Sequence, residues 1–222
     1  MNARLMHRAP AFPLDALTRR RLAALLAAIV GVVAVCLAVI AMGDRDLAAI
    51  SAENGPVEWL QVAFYSAAAL CFFAAATMAD ERLHALTFAG YGLFIVVLAL
   101  RELDFTKSGT PTLALIFNSR GTMAVMALAW LGLAAVSWRD PLGLFASGLR
   151  WLAGRGGRPL LAAAVVLLCA WVFDQHLLPF GRAVDLVGEE ALELVAASLV
   201  LLSGLAAVQV SRAPPTITPR HS

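Results

Sequence analysis

The chain has 222 residues, 61% of them hydrophobic and only 14% charged, with a mean hydropathy of +0.80 and a net charge of +2. A soluble globular domain is about half apolar and about a quarter charged, so a soluble enzyme, a disordered tail protein and a nucleic-acid module all fit this composition poorly. What it fits is an all-α polytopic membrane protein, a single bundle with no length left for a second soluble domain.

Residues 1–21 form a basic segment that ends in Arg19, Arg20 and Arg21. Basic residues ahead of an apolar run also open export signals. Here the run at 22–42 is longer than a signal core, lacks a small-x-small cleavage site near Met42, and is followed by five more runs. It is expected to be a retained anchor. Six runs can each cross a hydrocarbon core of about 30 Å at 1.5 Å per residue: 22–42, 57–78, 84–103, 121–138, 159–178 and 188–209. The domain organisation follows: a basic cytoplasmic segment at 1–21, a six-helix transmembrane domain at 22–210, and a disordered cytoplasmic tail at 211–222, where Pro214, Pro215 and Pro219 break any helix.

Basic residues near membrane ends are retained in the cytoplasm. With the N-terminus inside, twelve of the seventeen basic residues fall on the inner side with four acids, while the outer side holds five basic residues and eleven acids. Both termini are therefore expected to be cytoplasmic, in an inner (plasma) membrane. Trp59, Trp138, Trp151 and Trp171 lie near expected interfaces, and Trp130 sits deep in the fourth run. Between the fourth and fifth runs, Leu142, Phe145, Leu149 and Leu152 repeat at helical spacing beside Arg150 and Trp151, the pattern of a short helix lying on the inner surface or of an apolar linker. After Pro111, residues 112–117 are too few to span and too apolar for open water. They are expected to dip into the outer interface. Cys36, Cys71 and Cys169 all fall inside apolar runs and read as small core residues, not as a disulfide framework.

Polar chemistry gathers at the outer ends of the second, third, fifth and sixth runs. The second enters through Pro56, with Glu58, Gln61 and Tyr65 on one face at i, i+3 and i+7. The sixth enters with Glu189, Glu190 and Glu193, neighbours at helical spacing. The third leaves through Arg101, Glu102 and Asp104, and the fifth through Asp174, Gln175 and His176. A helix dipole favours carboxylates in the first turn by about 0.3 to 1 kcal/mol, which suffices for Glu58, Glu189 and Glu190. It does not account for Glu102, Asp104 and Asp174 near helix C-termini, for Glu193 further inside, or for Arg101. Charges at membrane depth normally face protein and have partners. The expectation is a shared acidic pocket, partly sunk in the membrane and open to the periplasm, that binds a cation or a polar lipid headgroup.

Three chemistries are open at this level. Glu58, Asp174, His176, Glu190 and Glu193 offer oxygen and imidazole ligands for a divalent cation, which would activate water in a metal-dependent hydrolase or transferase, with Glu193, Asp174 and Arg101 as the catalytic set. Glu193, Asp174 and Arg101 would equally form a relay in a proton- or cation-coupled transporter, although the inner halves of the runs are nearly pure Ala, Leu and Val. In a non-enzymatic assembly protein, Arg101 would pair with Glu193 or Asp174, and the acidic face would dock a periplasmic ligand or protein partner. The bilayer is the one partner common to all three. No phosphate-binding glycine loop, nucleophile elbow or paired haem histidines are present in the sequence.

Overall fold

In the computed structural model, residues 55–102, 119–175, 177 and 182–212 are described. The expected first span at 22–42, the apolar stretch at 112–117, Asp104, His176 and the tail beyond Arg212 lie outside them. Among the described residues every element is a helix: α1 (Pro56–Met78), α2 (Arg82–Arg101), α3 (Ser119–Val136), α4 (Pro141–Ala153), α5 (Arg158–Asp174) and α6 (Arg182–Arg212).

Local sequence sets the ends of these helices. Proline stands in the first turn of α1, α4 and α5, where its missing N–H leaves nothing unsatisfied. Asp140 caps α4 by accepting the Gly143 N–H at 2.8 Å, and the Gly154 N–H closes the other end on Arg150 O and Trp151 O. Among the described residues three stretches, Val57–Met78, Arg82–Arg101 and Asp185–Arg212, are long and apolar enough to cross a membrane. A fourth crossing results if Met123–Val136 and Pro141–Ala153, bent by 116° at their junction, count as one broken span. The expected run at 159–178 becomes the 17-residue α5, at the short limit for crossing.

Helix α6 is the hub, packed against α1 on one side and α5 on the other; α1 in turn packs on α2, and α2 on α3 and α4. The α1–α6 seam is made of small residues. Ala68, Ala69 and Ala75 meet Ala196, Ala197, Ala206 and Ala207 in a core with Phe72 and Val200. Gly204 marks the closest approach, since a β-carbon there would lie 3.0 Å from the Ala68 carbonyl oxygen and 3.1 Å from Cys71 Cβ. Within lipid there is little hydrophobic gain from bringing helices together, so close contact of backbones carries the association. At one end of the bundle, Ser203 Oγ donates to Gly156 O at 2.9 Å and the Trp151 ring meets Phe88 edge-on with centroids 5.0 Å apart, which ties the α4–α5 turn to the core. Large apolar side chains of α3 and α5, among them Leu128, Leu131, Val165 and Leu168, are exposed in the bundle. That is the surface a helix presents to lipid.

Gly204→Leu should separate α1 from α6 and destabilise the purified protein by about 1 to 3 kcal/mol or more in a denaturation titration, the range of overpacked cores. Gly132→Ala, where a β-carbon meets nothing within 4 Å, should leave the midpoint unchanged or raised.

Candidate functional site

The site lies where the start of α1, the end of α2 and the first half of α6 meet. On α1 the i, i+3, i+7 face turns inward, with Gln61 fully buried, Tyr65 nearly so, and Trp59 exposed on the other side. Helix α6 begins at Arg182, six residues before the expected start at 188. Glu189, Glu190 and Glu193 therefore stand in its third and fourth turns, beyond the reach of the terminal dipole. The first-turn explanation holds for Glu58 and not for Glu189 or Glu190. The earlier start also places Asp185 inside α6, where it is buried. Helix α2 delivers Arg101 as its last residue and Glu102 as its cap, with the Glu102 N–H on Leu98 O at 3.3 Å. A carboxylate at a helix C-terminus is disfavoured by the dipole, and the neighbouring guanidinium offsets this.

Arg101 Nη2 lies 3.0 Å from Glu102 Oε1 and 3.3 Å from Glu193 Oε1, bridging α2 to α6 through one nitrogen. The guanidinium side chain is 49% exposed, whereas those of Glu102 and Glu193 are 9% and 14% exposed. The cation thus faces outward over two sunken carboxylates. Beside it, Gln61 Nε2 donates to Glu190 Oε2 at 2.9 Å and to the Glu190 carbonyl oxygen at 3.2 Å, linking α1 to α6. Gln61 Oε1 is buried with no hydrogen-bond partner. An unsatisfied buried acceptor of this kind destabilises a fold by about 1 to 3 kcal/mol, so its retention beside carboxylates requires a reason.

The charges around it are unbalanced. Glu58, Glu102 and Glu189 are close enough to repel the Glu190 carboxylate, and Glu102, Glu189 and Glu190 repel that of Glu193. Tyr65 sits within the field of Glu102, Glu193 and Arg101. Arg101 pairs with two of these carboxylates, Glu102 and Glu193. Such a set is stable only if the surplus charge is hydrated, neutralised by protons or held against a cation.

Asp174 lies at the same end of the bundle, but its carboxylate is exposed and accepts from Gln175 Nε2 at 2.7 Å. Its neighbour Phe173 packs against Gly188, where a β-carbon would fall 2.7 Å from the ring. Of the residues proposed as metal ligands, Glu190 lies within the field of Glu58 and Glu193 within that of Glu190, Asp174 stands apart from their bonds, and His176 lies outside the described residues. Among the described residues no three histidine, cysteine, aspartate or glutamate side chains group as metal ligands. The helical spacing puts Gln61 on the inward face without indicating its partner, and a run starting at 188 leaves Asp185 outside the helix. The burial of Asp185 depends on where α6 starts. No family model, curated protein or solved structure matches this chain.

A double-mutant cycle on Arg101→Met and Glu193→Gln, read by denaturation of the purified protein, should give a coupling of about 0.5 to 3 kcal/mol. The same cycle between Arg101→Met and Asp174→Asn should be additive to within about 0.5 kcal/mol.

Proposed function

We propose that this protein is a multi-pass inner-membrane protein whose carboxylate cluster, at the periplasmic ends of α1, α2 and α6, binds a small cation or the ammonium group of a polar headgroup. In this reading the arginine-rich end that carries α4 is cytoplasmic, as the distribution of basic residues over the whole chain requires. The observation that carries it is the pairing of surplus carboxylates with a buried, partnerless acceptor, Gln61 Oε1. A cation supplies what both lack.

Roles follow from the geometry. Gln61 orients Glu190 by donating to its Oε2, which leaves Glu190 Oε1 and Gln61 Oε1 as neighbouring acceptors. Arg101 holds Glu193 and Glu102 in place and lowers their mutual repulsion without cancelling it. Its half-exposed guanidinium has further N–H groups that suit a phosphate, so a zwitterionic headgroup would put its ammonium on the glutamates and its phosphate on Arg101.

The test is thermal unfolding of the purified chain in chlorides of sodium, potassium, calcium, manganese and ethanolammonium, each against bulky N-methylglucamine at equal ionic strength. A bound cation should raise the wild-type midpoint by several degrees, saturably, as ligand linkage requires. Glu190→Gln and Glu193→Gln should abolish the rise, and Asp80→Asn, exposed beyond the far end of α1, should retain it. The ethanolammonium arm separates a headgroup from an inorganic ion, and the calcium and manganese arms test the divalent alternative. Identical midpoints in every cation would reduce the cluster to an ion-pair network that fastens α2 to α6.

A further inference from the structure

The opposite end of the bundle contains a second feature, independent of the carboxylate cluster. Helices α2, α3 and α4 enclose an apolar cleft of about 360 Å³. This is within the range of ligand sites, about 300 to 1,000 Å³, and well above the cavity of about 150 Å³ that takes up benzene. Tyr91, Trp130, Leu133, Ala134, Leu144 and Gly148 are among its walls. The hydroxyl groups in the lining are spent within the protein: Tyr91 Oη donates to Gly148 O at 3.0 Å, Thr87 Oγ1 to Leu83 O at 2.7 Å, and Ser137 Oγ to Leu133 O at 2.8 Å. What remains is a hydrocarbon surface. It runs from the 116° bend between α3 and α4 to Tyr91, nine residues into α2 and therefore about 13 Å deep.

The mouth is basic. Arg82 donates from Nη2 to Val136 O at 2.8 Å, at the end of α3, and Arg139 lies 5.6 Å over the ring of the exposed Trp138. Arg150 stands beside the lining residue Leu149. Of the carboxylates nearby, Asp140 caps α4 and Glu81 lies 3.5 Å from His84, while Asp80 is exposed in the turn before Arg82. Arg82, Arg139 and Arg150 are all exposed, and each guanidinium has donors beyond the contacts named. The exposed apolar side chains Leu142, Phe145 and Leu149 of α4 continue the surface outward from the cleft. An apolar slot within membrane depth, an interfacial tryptophan and a cluster of arginines at one rim match the two ends of one kind of molecule.

We propose that the cleft between α2, α3 and α4 seats one acyl chain of an anionic phospholipid, with the lipid phosphate held by Arg82 and Arg139. The chain fills the hydrocarbon volume, and the bend between α3 and α4 sets the headgroup at the level of Trp138. In detergent, the full-length protein should bind phosphatidylglycerol at least about tenfold more tightly than phosphatidylcholine of the same chains, the size expected for two arginines near a membrane surface. Thermal unfolding against increasing lipid, together with native mass spectrometry of the lipid retained, reads this directly. Arg82→Gln with Arg139→Gln should erase the preference while leaving weak binding of both lipids. Ala134→Phe, which fills the cleft, should remove binding of both. Should Ala134→Phe fail to fold, the arginine pair alone still decides the matter. Equal affinity for the two lipids in the wild type, or a preference that survives in the arginine variant, would overturn the proposal. A midpoint rise produced by inorganic phosphate alone would also overturn it, because that marks a simple anion site.

Discussion

The seam between α1 and α6 is the contact on which the rest of this structure depends. Gly204 and the facing alanines let the two backbones approach until a single β-carbon would collide with the Ala68 carbonyl. At that separation Gln61 of α1 reaches Glu190 of α6 at 2.9 Å, and the cluster is built outward from there. Helix α2 packs on α1 and brings Arg101 to the same level, where it bridges to Glu193. A wider seam would leave the glutamates of α6 solvated separately. The closeness that holds the bundle together is therefore also what concentrates negative charge in it.

That concentration is physically expensive. Buried ion pairs gain little once the desolvation of both partners is counted, and a carboxylate without a partner loses several kcal/mol. Glu102 and Glu193 share one guanidinium, and Glu190 has only the amide of Gln61. Substituting Glu190 by an apolar residue would relieve repulsion, and Gln61 would keep its bond to the residue-190 carbonyl while losing the one to the carboxylate. A fold selected for stability alone would not place these groups here. The opposite end of the bundle has the contrary arrangement, with arginines around an apolar cleft whose hydroxyl groups are internally bonded. The two proposals accordingly assign positive charge to one end of the bundle and a negatively charged amphiphile to the other.

Much of this arrangement was legible in the sequence because membrane helices follow simple rules. Apolar runs of about 20 residues located α1 and α2 to within a few residues and the body of α6, and the spacing of Leu142, Phe145 and Leu149 marked α4. The inward face of α1 was readable from the i, i+3, i+7 pattern. The start of α6 was not, because residues 182–187 mix Arg182 and Asp185 with apolar residues. Hydropathy reads the charges as the end of a span, whereas the structure carries the helix through them. The sharp bend between α3 and α4 was also hidden, since it depends on the Asp140 cap and on Pro141 redirecting a chain that is apolar on both sides. Pairings such as Gln61 with Glu190 are separated by 129 residues and exist only once the seam is closed.

The central claim is that the carboxylates of the cluster are themselves the ligands of a cation. Ion-exchange difference infrared spectroscopy on the purified protein, cycling a small cation against N-methylglucamine, observes carboxylate stretching bands directly. The account expects reversible carboxylate difference bands in the wild type that lose intensity in Glu190→Gln and in Glu193→Gln. A flat carboxylate region in the wild type, or bands unchanged in both variants, would contradict it.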